Sequence, residues 1–322
     1  MLNQLKFAAI DIGSNAVRLL LASVFENNGR PTFKKMSLTR MPIRLGADTF
    51  SLKRISKERT DEMVKAMTGF RHLIDAYQPI AFRACATSAM REAENRAQVC
   101  KRIRKASGIE VDIIDGAREA QLILENQSAD QYLGYNAYLY VDVGGGSTEI
   151  TLSSQGQIAV SGSFKIGTIR MLQGQVAKTD WDAMKNWLQT HCAPYQSLAA
   201  IGSGGNINKI FRLAECIKNK PLSKSKLIKV RRLLKKYSYE ERITKLNLRP
   251  DRADVIIPGA DIYLKVVQWA GIKNIFVPVM GLADGVVRTL YDDYKAQAAN
   301  AQPDETDLRK GGCANRSEYG HN

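Results

Sequence analysis

The sequence predicts an α/β protein of two structurally similar halves. Three observations carry that expectation. One is a stretch that reads as buried strand, glycine turn and second strand, Val141-Asp142-Val143-Gly144-Gly145-Gly146-Ser147-Thr148-Glu149. Another is its near-repetition close to the N-terminus, Phe7-Ala8-Ala9-Ile10-Asp11-Ile12-Gly13-Ser14-Asn15-Ala16-Val17-Arg18-Leu19-Leu20-Leu21, which lays Asp11 on Asp142, Gly13 on Gly144 and Arg18 on Glu149. The third is the alternation of strand-length apolar runs with segments of helical period over 322 residues, a length that suits about two domains.

Both turns open as an acid followed by glycine. Glycines 144–146 remove every Cβ, so backbone N–H groups can crowd a bulky anion, and Ser147 and Thr148 add hydroxyl donors at the rim. Asp142 enters the turn and Glu149 leaves it. One carboxylate on each side of a phosphate cradle suits a hard divalent cation. The same residues also suit a tight hairpin with a turn-capping aspartate. The repeat around Asp11 favours the functional reading, because two such turns facing each other would grip one phosphate chain from both sides.

Apolar residues make up 44% of the chain, enough for sizeable cores. A formal net charge of +15 favours polyanionic partners: nucleic acid, phosphorylated metabolites or anionic membrane. Five scattered cysteines without CxxC spacing suggest neither a zinc site nor a disulfide frame, and they fit a reducing cytoplasm. Asp11 interrupts the first apolar run, so no signal peptide is expected, and no apolar run is long enough for a membrane span. The three histidines, His72, His191 and His321, form no metal-ligand pairing, which makes a carboxylate the expected general base.

Residues 6–12 and 16–25 form the first strand pair, and Asn27-Asn28-Gly29 signals a hairpin into a third strand, Thr32 to Thr39. Met63, Met67, Phe70, Ile74 and Tyr77 share one face of a helix that starts near Ser56 and ends before Pro79. Ile80 to Cys85 is a short buried strand. It runs into Ala86-Thr87-Ser88-Ala89-Met90-Arg91, where two hydroxyls and a helix N-terminus offer donors to an anion and Arg91 can fork onto phosphate oxygens. An N-cap with a surface arginine is the plainer alternative. A basic helix, Asn95 to Ser107, and a strand, Ile109 to Ile114, follow. Asp115-Gly116-Ala117-Arg118-Glu119 opens another helix, with Glu119 in its first turn as either an ordinary dipole-favoured carboxylate or a base that orients water. The first domain is expected to span 1–125 and the second 126–300, with 301–322 a disordered tail.

In the second half, the strand Gln157 to Phe164 leads through Lys165-Ile166-Gly167-Thr168 into a helix, with Lys165 as a phosphate contact. Thr179-Asp180 caps the helix that carries Trp181, Met184 and Leu188, and Pro194 breaks it. Leu198 to Ile201 runs into Gly202-Ser203-Gly204-Gly205-Asn206 before a helix, again anion-binding geometry. Lys218 to Lys245 is dense in cations at helical spacing, without the aromatic interleaving of specific nucleic-acid binding. An apolar helix follows Pro258-Gly259 and runs through Trp269. Ile275 to Val279 is a strand, and Gly281-Leu282-Ala283-Asp284-Gly285 starts a last helix that reaches about Ala298 and packs back on the first half.

The segments AAIDIGSNAVRLLL, CATSAMREAEN, IDGAREAQLIL, YVDVGGGSTEI, FKIGT, GSGGNINK and RADVIIPGA stand in the order found in the exopolyphosphatase/guanosine pentaphosphatase family, and the chain resembles that family from residue 6 to about 298. The resemblance implies two ribonuclease-H-like domains of the actin, Hsp70 and sugar-kinase superfamily flanking an active-site cleft. It implies hydrolysis of terminal phosphates from inorganic polyphosphate, guanosine pentaphosphate or both. Glu119 matches the family's catalytic base, Asp142 and Glu149 its Mg²⁺ (or Mn²⁺) acids, and Ser14, Asn15, Arg18, Arg91, Gly144, Gly145, Gly146, Ser147 and Thr148 its phosphate contacts. The reading of the residues adds Thr87, Ser88, Lys165 and Gly204 to the contacts and Asp11 to the metal acids.

Two features depart from the family pattern. Arg118 stands where an acid often precedes the glutamate, which trims the negative potential near Glu119. The helical module of long members has no counterpart after the last helix, which weighs against a long processive polyphosphate channel. The expectation is a cytoplasmic protein, with a homodimer in view, acting on a polyanionic phosphate without specific nucleic-acid or membrane partners. The alternatives are a small phosphotransferase on the same fold and a non-catalytic sensor of guanosine tetra- or pentaphosphate.

Overall fold

The computed structural model describes residues 4–27, 30–125, 135–155, 157–217, 220–278 and 280–300. The first half runs β1 (Gln4–Ile12), β2 (Val17–Asn27), β3 (Arg30–Met41), α1 (Leu45–Leu52), α2 (Lys57–Tyr77), β4 (Ala81–Ala86), α3 (Ser88–Glu92), α4 (Arg96–Ser107), β5 (Val111–Ile113) and α5 (Gly116–Glu125). The second runs β6 (Ala137–Val143), β7 (Thr148–Ser154), β8 (Gln157–Phe164), α6 (Thr168–Leu172), α7 (Lys178–Cys192), β9 (Leu198–Ser203), α8 (Gly205–Leu213), β10 (Leu222–Ser223), α9 (Lys224–Lys236), α10 (Tyr239–Thr244), α11 (Pro250–Ala253), α12 (Ile256–Trp269), β11 (Asn274–Phe276) and α13 (Leu282–Asn300).

The repeat in the sequence is a repeat in topology. One sheet has the order β3-β2-β1-β4-β5 and the other, from its far edge, β8-β7-β6-β9-β11-β10. In each, an antiparallel meander is followed by parallel strands, and the second sheet adds only the short antiparallel β10. Asp11 pairs with Arg18 across the first hairpin, as Asp142 pairs with Glu149 across the second. Both turns close with the same bond: Gly13 N–H donates to the Ala16 carbonyl at 3.1 Å and Gly144 N–H to the Ser147 carbonyl at 3.0 Å. A Cβ on Gly13 or Gly144 would lie 3.2 Å from that same carbonyl oxygen, so both turns favour glycine for one steric reason.

Each half buries its own core. Ile10, Ile12 and Leu19 pack on Met63, Met67 and Phe70, the helical stripe read from the sequence, while Tyr77 is only half-buried. In the second half, Leu139, Val141 and Ile150 pack on Met184, Leu188, Ile210 and Tyr263. A third cluster sets α13 back on the first sheet: Phe7, Ala9 and Leu20 meet Leu122 and Ile123 of α5 and Val286, Val287 and Tyr291 of α13. The Tyr291 hydroxyl donates to Glu26 at 2.6 Å, and Lys35 pairs with Asp284 at 2.7 Å. A polar seam also joins the halves: Asn15 Nδ2 donates to the Asp251 carbonyl at 3.0 Å, Arg40 pairs with the Asp251 carboxylate, and Arg44 pairs with Asp254 at 2.6 Å.

Local details differ from expectation. Thr179-Asp180 lies inside α7. Ala177 precedes that helix, and Asp180 reaches back to accept from the Ala177 N–H at 3.0 Å. Pro258 and Gly259 stand in the first turn of α12, where a proline removes no needed donor. The short α11, opened by Pro250, has too few residues to leave a periodic signal. Asn27 stands opposite Arg30 as the hairpin requires, and the turn residues 28–29, like the tail 301–322, lie outside the described residues.

Candidate active site

Glu119 is delivered by three packing choices. Asp115 accepts from the Arg118 N–H at 2.7 Å and starts α5. Gly116 lets that first turn press on β8, since a Cβ there would lie 2.9 Å from Ser163. Gly285 lets α13 press from behind, since a Cβ there would lie 1.8 Å from the Leu122 carbonyl oxygen. Glu119 is thereby buried against the β6–β7 hairpin of the other half. Carboxylate oxygens of Glu119, Asp142 and Glu149 lie within 4.8 Å of one another.

The electrostatics of this cluster follow from burial. Desolvation, then Glu149, Asp142 and Asp11, raise the Glu119 pKa well above the usual carboxylate range, with Arg91 opposing. Glu119 Oε2 has no hydrogen-bond partner, and Arg91 Nη1 stands 3.9 Å away. Glu149 is pushed up to about 7 by burial and by Asp142, although Ser147 donates to it at 2.6 Å and Ser163 at 3.2 Å. Burial also raises Asp142, against a 2.7 Å bond from Ser203. Two buried carboxylates and a half-buried one, with an orphaned oxygen, are short of positive charge, and an all-oxygen donor set fits a hard divalent cation.

Glu119 and Asp142 border a cavity of about 450 Å³ between the halves, and Glu149 stands behind them, off its wall. Its wall includes Asp11, Gly13, Ser14, Asn15, Arg18, Thr87, Ser88, Glu119, Asp142, Gly144, Gly145, Ser147 and Gly204, so most of the expected site residues share one space. Both acid-then-glycine turns line it, and they touch: a Cβ on Gly145 would lie 2.8 Å from that of Ser14. Ser14 and Ser88 are joined through their hydroxyls at 2.8 Å.

Other expected contacts are used differently. Asp11 sits outside the three-carboxylate cluster, because it pairs with Arg18 at 2.5 Å. Burial works against the Arg18 charge, but Asp11, Asp142 and Asp251 outweigh it and raise its pKa. Thr148 is fully buried and donates its hydroxyl to the Ile166 carbonyl at 2.6 Å. Gly146 is pressed against the first half, where a Cβ would lie 2.1 Å from Phe50 and 2.7 Å from Ser88. Arg91 lies off the cavity wall and donates to the Ile114 carbonyl at 2.7 Å, and Lys165 is exposed away from it.

Sequence reasoning missed a group of cations on the wall: Arg40, Lys209, Arg212, Arg249 and Arg252. The Arg252 guanidinium lies over Gly205 at the start of α8, where a Cβ would lie 2.4 Å from it. Burial, then Arg40 and Arg18, push its pKa down to about 10. The i,i+3 pairs Lys209/Arg212 and Arg249/Arg252 were visible signals, and their location against the glycine turn was not.

Sheet order and paired hairpins define two α/β halves of like topology, with acids and cations gathered in the cleft between them. The chain belongs to the Ppx/GppA phosphatase family, whose sequence model matches residues 23–293. Exopolyphosphatase 1 of Mycobacterium tuberculosis is 30% identical over 169 residues, 52% of this chain and 48% of that protein. The chain thus spans about half the length of that relative. Exopolyphosphatase 2 of the same organism is 26% identical over 314 residues, 88% of this chain and 98% of that protein. The crystal structure of an exopolyphosphatase from Cytophaga hutchinsonii has the same fold, with a TM-score of 0.77 at 24% identity, covering 89% of this chain and 98% of that one. No helix among the described residues is long and apolar enough to cross a membrane.

Proposed function

We propose that this protein hydrolyses terminal phosphoanhydride bonds, releasing orthophosphate from inorganic polyphosphate, guanosine pentaphosphate or both. One observation carries the reading: Glu119, Asp142 and Glu149 cluster at the wall of a cavity that Glu119 and Asp142 line, bordered by both glycine turns and by arginine and lysine. The turns and Arg18 hold the terminal phosphate, and the wall cations draw the rest of the anion in. Asp142 and Glu149, with Glu119, are the residues that would hold Mg²⁺ or Mn²⁺, which when bound neutralises phosphate charge. Glu119 orients a water in line with the terminal phosphorus and takes its proton. The water oxygen bonds to phosphorus, the bridging P–O bond breaks, and the shortened chain leaves with its electron pair. Positioning and charge stabilisation suffice for phosphoryl transfer.

The domain division at 125/126, the cytoplasmic location and a homodimer belong to the same reading, and light scattering tests the last. The central test is phosphate release, without added acceptor, from long polyphosphate, tripolyphosphate and guanosine pentaphosphate side by side. Release from at least one, abolished by chelation, is expected. Release only with an acceptor would make the protein a phosphotransferase, and binding without release a sensor.

A further inference from the structure

The α9 helix, KSKLIKVRRLLKK, has seven cations and no acid in thirteen residues. It buries Leu227, Val230 and Leu234 and turns Lys229, Arg232, Lys235 and Lys236 to the exposed side. None of these four has a carboxylate partner among the described residues, whereas Arg231 on the same helix pairs with Asp261. Lys229, Arg232 and Lys236 follow i, i+3, i+7 spacing and form one stripe. Like charges at such spacing destabilise a helix, and mixed signs would solvate it equally well. The stripe leaves its charge uncompensated within the described residues, free for an external anion.

Both ends of α9 bond to segments that flank the cavity wall in sequence. Lys226 Nζ reaches the Ala214 carbonyl at 3.4 Å, just past Arg212 on the cavity wall. At the other end the Leu234 carbonyl accepts from Arg242 Nε at 2.9 Å, on the segment that leads to Asn247 and Arg249 of the same wall. Cations of the wall, Arg212 and Arg249, thus stand on segments joined to the two ends of the helix, whose stripe spans roughly 10 Å at 1.5 Å per residue. The helix carries no aromatic residue for base stacking.

We propose that the exposed face of α9 binds the distal run of a linear polyphosphate whose terminal phosphate occupies the cleft. This rests on the hydrolase reading above for the substrate, and on α9 alone for the docking. The test is K229Q/R232Q/K236Q in the full chain, with melting temperature measured to show that it folds. With long-chain polyphosphate, KM is expected to rise about tenfold at unchanged kcat, and the slope of log KM against log salt to flatten by about 2, by analogy with counterion release from single strands. Kinetics with tripolyphosphate stay as in the wild type. Equal long-chain KM and salt slope in variant and wild type overturn the docking face and leave the hydrolase intact. If the wild type turns over neither of these nor guanosine pentaphosphate, the hydrolase reading fails. Anisotropy of labelled long-chain polyphosphate then decides: weaker binding by the variant supports the face, and equal binding overturns it. Equal competition by single-stranded DNA would assign α9 to nucleic acid instead and overturn the proposal.

Discussion

In the proposed hydrolysis Glu119 takes the proton of the attacking water, and its position explains what a conservative change should do. Glu119→Gln keeps size and polarity but removes the proton acceptor. Its kcat is expected to fall by about 10²-fold or more, the usual contribution of a general base, with substrate affinity retained; full activity in a phosphate-release assay would remove it from the mechanism. Glu149 gives a second outcome, in stability. Its carboxyl is raised from 4.5 to about 7, so between those pH values the folded chain holds a proton that the unfolded chain has lost. That contribution is complete below about 4.5 and is lost as pH rises through 7. Glu149→Gln does not titrate and can still accept from Ser147. In chelator, its stability relative to wild type should therefore increase from pH 5 to pH 8, by about 2.5 kcal/mol. Denaturant melts at the two pH values check this, and a constant difference would mean that Glu149 is not raised.

At the scale of the element, α5 matters because it is clamped. Its first turn rests on β8 through Gly116, and its second is met by α13 at Gly285. Adding one methyl, Gly285→Ala, drives a Cβ into the Leu122 carbonyl and must shift one helix. About 2–3 kcal/mol of destabilisation is expected, as for overpacking elsewhere, together with a drop in kcat larger than any change in KM, because Glu119 moves with α5. Steady-state kinetics and a urea melt test both, and an unchanged kcat would show that α13 yields instead. The helices themselves were legible in the sequence wherever a core stripe ran for several turns, as in α2. The short α11 and the start of α7 were not, because a single turn is set by its neighbours more than by its own period.

Across the whole molecule, the halves are held shut at the glycine turns. The Arg170 guanidinium donates to the Gly146 carbonyl at 2.6 Å, pairs with Glu92 of the other half and stacks 3.9 Å from the Phe50 ring centroid. Lysine at 170 keeps the charge but cannot make these contacts together. Arg170→Lys is expected to lose about 2 kcal/mol, the size of a charged hydrogen bond, and to raise KM as the two turns loosen their grip. Calorimetry and substrate titration read the two effects separately.

The sequence alone determined the two-fold repeat, both acid-then-glycine turns and the three carboxylates, because strand alternation, glycine runs and fixed spacing are local properties. Only the tertiary structure decided how those parts are shared out. Asp11 went to Arg18, Thr148 to a backbone carbonyl, and Gly145 and Gly146 to contact between the halves, while Arg40 and Arg252 came to the cleft from segments that carry no anion motif. Such assignments depend on which surfaces meet when two independent cores dock, and no periodicity within a segment records its partner.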